Sequence, residues 1–161
     1  MSAVLVRIDD RLLHAQVLQT WAKWFAAERV ILAHDSTAAD PQRVAMYRDL
    51  AEGDFDIQVT TVAAAAIPLG QPENALRTLW VLGSAADALR LVQLGAAVRR
   101  IQVGGLHVAG APRLLEAVAI SAATARDLRA LLDRGVALEA QDVPSTPAVR
   151  IDSQTLQRLW P

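Results

Sequence analysis

The chain contains no cysteine. Disulfides, a thiolate nucleophile and cysteine–zinc sites are therefore excluded. Lysine is nearly missing too, with one against fifteen arginines. That imbalance reads as genome base composition rather than function. Charged runs are absent and the net charge is −1, so no global field draws the chain to nucleic acid or an anionic membrane. No apolar run approaches the ~20 residues of a membrane span. The longest alanine-rich run, residues 62–67, is far too short. Repeats, low-complexity segments and interdomain linkers are likewise missing. Asp9 and Arg11 follow the first apolar run at once, which does not fit a signal peptide. A cytoplasmic location and no insertion into the membrane are expected.

What is present suits one globular domain over residues 1–161. The chain is 53% hydrophobic, enough to build a substantial core. Short apolar runs with β-branched residues predict strands at 4–8, 30–33, 57–60, 79–82, 101–103 and about 138–143. A further short one is expected at 117–120. Helical patterns fall between them. Val17, Leu18, Trp21, Trp24 and Phe25 form an apolar stripe at helical spacing. Asp40 and Pro41 open a helix to about residue 50. Ser84 opens one that Gly95 closes, Thr124 opens one that Gly135 closes, and a last helix is expected over 153–160. Residues 67–74 read as the clearest loop. The alternation predicts a three-layer α/β/α sandwich around a mostly parallel sheet of about six strands.

The densest chemistry lies at the first strand-to-helix turn. Asp9, Asp10, Arg11 and His14 fall within six residues. In α/β proteins such a turn lies on the ligand-binding edge of the sheet. A helix start also offers free N–H groups to a phosphate. Imidazole is nucleophilic near neutral pH, and guanidinium matches phosphate oxygens. His14 thus reads either as a core histidine or as a phosphoryl carrier. Burying it together with two carboxylates and Arg11 would be costly, which favours function. His34 and His107, the other two histidines, also follow predicted strands, so all three are expected near one sheet edge. Gly104 and Gly105 either permit close backbone approach or form a simple tight turn.

The segment RIDDRLLHAQV, residues 7–17, resembles the opening of the mannose/sorbose-type enzyme IIB of the bacterial phosphoenolpyruvate-dependent sugar phosphotransferase system. The pattern there is close to R-I-D-D/E-R-L-I-H-G-Q-V. AHDSTAADPQRVAM, QVGGLHVAGAPRLLEAVAIS and LLDRGVALEAQDVP resemble later segments of that family, so the likeness spans nearly the whole chain. The resemblance implies a strand order 3-2-4-1-5-6. It also implies that His14 is phosphorylated at Nδ1, accepting from a phosphohistidine of enzyme IIA and donating to a hexose held by membrane subunits IIC and IID. Other enzyme IIB types use cysteine as carrier, which this chain lacks. Arg11 is expected to stabilise the phosphoryl group and Asp10 to orient His14. Asp9, Asp35, Ser84, Gly104, Gly105 and His107 are expected on the partner-facing rim, with Ser84 mainly a helix cap and His34 a plain loop residue. Arg7 is assigned no chemistry. Neither metal nor cofactor is expected. The family's Gly after the active His is Ala15 here, which narrows the approach to the imidazole slightly.

Two other functions fit the same residues. One is a regulatory phosphoprotein of this fold, phosphorylated on His14 but uncoupled from transport. The other is a metal-binding hydrolase using His14, His34, His107 and Asp35, against which stands the lack of an H-x-x-x-H spacing.

Overall fold

The computed structural model describes residues 3–51, 53–69 and 76–161. Its main strands are β1 (Val4–Ile8), β2 (Arg29–Ala33), β3 (Asp56–Thr60), β4 (Thr78–Leu82) and β5 (Arg100–Val103). They are followed by β6 (Arg113–Leu115), β7 (Val118–Ala119), β8 (Ala137–Ala140) and β9 (Val149–Ile151). The sheet order is β3-β2-β4-β1-β5-β8-β9, with β6 and β7 paired separately. All neighbours in the main sheet are parallel except β8 and β9. Counting β8 as the sixth strand of that order gives the expected 3-2-4-1-5-6. The sequence reading missed β9, three residues between Pro147 and Asp152, too short for a periodic signal.

Side chains alternate across the sheet because successive Cβ atoms point to opposite faces. Val6, Ile8, Ile31, Ala33, Trp80 and Leu82 pack on one face. That face is covered by α3 (Val62–Leu69), α4 (Ala85–Gln93), α5 (Ala122–Asp133) and α6 (Ser153–Leu159). Val30, Leu32, Leu79 and Val81 point the other way, against Leu18, Trp21 and Tyr47. The result is a three-layer α/β/α sandwich. Helices on both faces explain why β4 is buried at every position and reads as a continuous apolar run.

The helix after β1 covers residues 15–24, and its middle, Val17–Ala22, is wound as a π-helix. Wider i→i+5 winding changes which residues face inward. Val17, Leu18, Trp21, Ala22 and Phe25 are buried, at steps of about four. Trp24, expected in the apolar stripe, is instead 61% exposed and meets Trp21 edge-on at 5.6 Å.

Two other helices differ from expectation. The alanine-rich run 62–69 is α3, so residues 67–69 end a helix, while 70–74 of the expected loop lie outside the described residues. Alanine costs least in a helix, and α3 begins where Asp35 accepts a hydrogen bond from the Val62 N–H at 2.9 Å. The cap of α5 is Ser121, not Thr124; its hydroxyl accepts from the Thr124 N–H at 3.1 Å. A short turn, α1 (Asp35–Ala38), precedes α2 (Pro41–Asp49), whose cap is Asp40 as expected.

Candidate phosphoryl-carrier site

Ladder hydrogen bonding continues past the ends of β4, β1 and β5 and ties three loops together. Asp9 N–H donates to Leu82, Asp10 N–H to Gly105 and Gly104 N–H to Ile8, at 2.8–2.9 Å. The chain then turns sharply, with Leu12 N–H bonded to the Asp9 carbonyl at 3.0 Å. Leu12 holds φ at +62° although it carries a side chain. Such a backbone costs on the order of 1 kcal/mol and persists only where packing imposes it. Leu12 is buried, and a Cβ on Gly83 would meet it at 2.9 Å. The turn is thus built into the core, and it delivers His14 to the head of the following helix.

Asp9, expected on the partner-facing rim, is instead fully buried, and Gly104 and Gly105 are buried with it, because the loops after β1 and β5 close over each other. One carboxylate oxygen, Oδ2, lies 3.1 Å from His14 Nε2. The other, Oδ1, accepts from the Arg11 N–H at 3.1 Å and lies 3.6 Å from Arg11 Nε. Burial alone would raise the Asp9 carboxyl. The His14 hydrogen bond and charge, the Arg11 N–H and the Arg7 charge outweigh it and hold Asp9 below the usual carboxylate range. His14 is partly exposed, and no described residue bonds its Nδ1. The exposed Arg11 guanidinium is steadied by Gln16 Oε1 at 3.1 Å. A fixed imidazole with one free nitrogen, beside an accessible guanidinium, can take and hold a phosphoryl group.

Asp10 does not orient His14. Its Oδ1 meets His107 Nδ1 at 2.7 Å and its Oδ2 accepts from the His107 N–H at 2.5 Å. Neighbouring residues leaving a strand point to opposite sides, so Asp9 goes inward beneath His14 and Asp10 outward to the loop after β5. The glycines there are required by close approach. A Cβ on Gly104 would sit 2.3 Å from the Arg7 guanidinium, and one on Gly105 would sit 2.9 Å from Asp9 Oδ1.

Asp35 and Ser84, expected on the rim, and His34, expected as a plain loop residue, are engaged in holding the loops. Asp35 binds Val62 N–H and, at 2.6 Å, Arg90. Ser84 caps α4 through the Asp87 N–H. His34 bonds Thr37 Oγ1 at 2.8 Å. The four residues of the hydrolase reading therefore have separate partners. Among the described residues, no cluster of three or more His, Cys, Asp or Glu is placed to hold a metal.

Arg7, to which the sequence assigns no chemistry, is 2% exposed and lies beneath Asp9. Its Nη1 donates to Gln102 Oε1 at 2.7 Å and to the Gln141 carbonyl at 3.0 Å. Nη2 donates to the Asp142 carbonyl at 3.3 Å and lies 3.9 Å from Asp9 Oδ2. The guanidinium stacks on Trp21, 4.5 Å from the ring centre. An arginine inside the apolar run Val4–Ile8 was the signal that marked it.

Known proteins place this geometry. Residues 3–158 match the family model described as "PTS system sorbose subfamily IIB component". An N-acetylgalactosamine-specific phosphotransferase enzyme IIB component 2 of Escherichia coli (strain K12) is 35% identical over 91% of this chain and 94% of its own length. A sorbose-specific EIIB component of Klebsiella pneumoniae is 30% identical over 94% and 93%. Among solved structures, the N-acetylgalactosamine-specific IIB component 1 from Escherichia coli superimposes with a TM-score of 0.84 at 26% identity, covering 92% of this chain and 99% of that one. The IIB domain of the sorbose permease from Klebsiella pneumoniae gives 0.82 at 28% identity, with 96% of each chain covered. With the family model spanning nearly its whole length, the chain belongs to the sorbose-subfamily IIB components of the sugar phosphotransferase system, a family of phosphotransferases.

Proposed function

We propose that the protein is a phosphocarrier that takes a phosphoryl group from a phosphohistidine of enzyme IIA onto His14 and passes it to a sugar. The Asp9–His14 contact carries this reading. Asp9 accepts the Nε2–H, so the lone pair resides on Nδ1, facing away from the protein's bonds. Nδ1 attacks phosphorus, the N–P bond of the donor breaks as the new one forms, and the electron pair returns to the donor imidazole. The phosphorylated ring, still protonated at Nε2, is cationic, and the Asp9 carboxylate compensates it. Arg11 faces the equatorial oxygens. In the second half, a sugar hydroxyl oxygen attacks phosphorus and its proton leaves to water; the N–P bond breaks, its electron pair returns to Nδ1, and His14 is again the neutral ring. The donor bond is already activated, so positioning and charge are the main demands, and no metal or organic cofactor enters.

The acceptor is a hexose held by membrane subunits IIC and IID. Contact with the membrane would run through those subunits, from the cytoplasm; no helix among the described residues is long and apolar enough to cross a membrane. The test is transfer from phosphorylated enzyme IIA. His14→Ala should take up no label, whereas His34→Ala and His107→Ala should take it up. Full labelling of His14→Ala would remove His14 from the reaction.

A further inference from the structure

We infer that Arg7 is a positioning residue for phosphoryl transfer: held from below by Gln102 and the chain at Gln141 and Asp142, it sets the charge and placement of Asp9, and Asp9 in turn sets His14. The inference rests on the phosphocarrier reading above and extends it one layer inward.

A buried guanidinium is costly, and this one is not fully repaid by hydrogen bonds. Its Nε is buried without a partner. Burial brings the group down to about 10, against the opposing pull of Asp9 and Asp142, so it stays charged at neutral pH. Were its task only to bridge β1, β5 and the turn after β8, a neutral amide would serve with less desolvation. The charge has a use at Asp9, where burial pushes the carboxyl up and the His14 hydrogen bond and charge, the Arg11 N–H and then the Arg7 charge push it down. The groups facing Asp9 are Arg7 from β1, Arg11 and His14 from the following turn, and His107, whose ring shares the space around Gly105. Asp142, after β8, faces Arg7. Asp10 is occupied by His107. Of the cations around Asp9, Arg7 alone is both buried and held by three other elements: β5, the turn after β8 and the Trp21 ring. Arg11 is free to leave for the phosphoryl group, whereas Arg7 remains.

The test reads the Asp9 carboxyl directly, by carbon NMR titration of the native protein and of variants. Arg7→Gln keeps amide donors but removes the charge, and the Asp9 midpoint should rise. The acid limb of the transfer rate should rise with it. Arg7→Lys keeps the charge and should hold the midpoint near native even if transfer slows. Gly104→Ala leaves every charge in place and displaces the guanidinium with a Cβ that would sit 2.3 Å away. It should move Asp9 in the same direction, which keeps the test open if Arg7→Gln does not fold. A native Asp9 midpoint in folded Arg7→Gln or in Gly104→Ala overturns the inference, as does an equal shift in Arg7→Lys. Because the titration needs no transfer, a failed phosphocarrier reading would show as absent His14 labelling with the Asp9 result intact.

Discussion

Asp9 Oδ2 sits 3.1 Å from Nε2 of His14, and the same carboxylate binds the Arg11 N–H through Oδ1. One buried carboxylate therefore fixes both the His14 imidazole and the backbone of Arg11. Asp9→Asn keeps the shape and removes the charge that compensates the phosphorylated ring. Transfer from enzyme IIA should fall roughly 10²–10⁴-fold, as in other sites where a carboxylate holds a reacting imidazole. Asp10→Asn should lose far less, since its partner is His107. Single-turnover transfer kinetics compare the two; equal losses would place the orienting role elsewhere.

Arg11 is half exposed and lies in the turn, so its removal should leave the fold largely intact. Arg11→Ala should slow transfer by an amount worth about 2–4 kcal/mol of transition-state stabilisation. Arg11→Lys should recover only part, because the fork geometry is lost. Rates and thermal unfolding measured on the same samples separate the effects. A native rate in Arg11→Ala would take Arg11 out of the mechanism.

The fold was legible where one residue type repeats a signal. Residues 30–33 and 79–82 read as strands because burial on both faces leaves an unbroken apolar run, as at β4, and residues 4–8 do so although Arg7 interrupts the run. The π-helix was not legible: Val17, Leu18, Trp21 and Trp24 fit ordinary helical spacing, and only the wider winding turns Trp24 outward. Nor was α3, whose start is held by Asp35, twenty-seven residues earlier in the chain. At the site, the cluster of Asp9, Asp10, Arg11 and His14 was plain. Which carboxylate serves His14 was not, because that depends on the left-handed turn at Leu12. Arg7 had no visible purpose, since its partners Gln102, Gln141 and Asp142 lie far along the chain.

Asp35 offers a pH test of the scaffold. The Val62 N–H first, then Arg90, hold its carboxyl below the usual carboxylate range. The folded state then binds this proton less readily than the unfolded one. The stability it contributes is full above the unfolded value, about 4, and is lost as pH falls through the lower folded value. The unfolding midpoint should drop through this window, and Asp35→Asn should show a shallower drop from a lower starting point. Identical slopes would mean Asp35 contributes nothing there.

Docking of enzyme IIA should follow from where His14 lies. The partner must reach the loop edge, near Arg11 and residues 104–107, with Asp35 at its border. A carrier releases its partner each cycle, so the contact should be weak. Amide shift mapping with enzyme IIA should perturb these loops and spare α5. Largest shifts on α5 would contradict approach from this edge.

The most direct measurement is the identity of the phosphorylated nitrogen, by phosphorus and nitrogen NMR after incubation with phosphoenolpyruvate and the upstream carriers. Asp9 occupies Nε2, so the label should reside on Nδ1 of His14 and be acid-labile and base-stable. A phosphoryl group on Nε2, or on any other residue, would contradict the account.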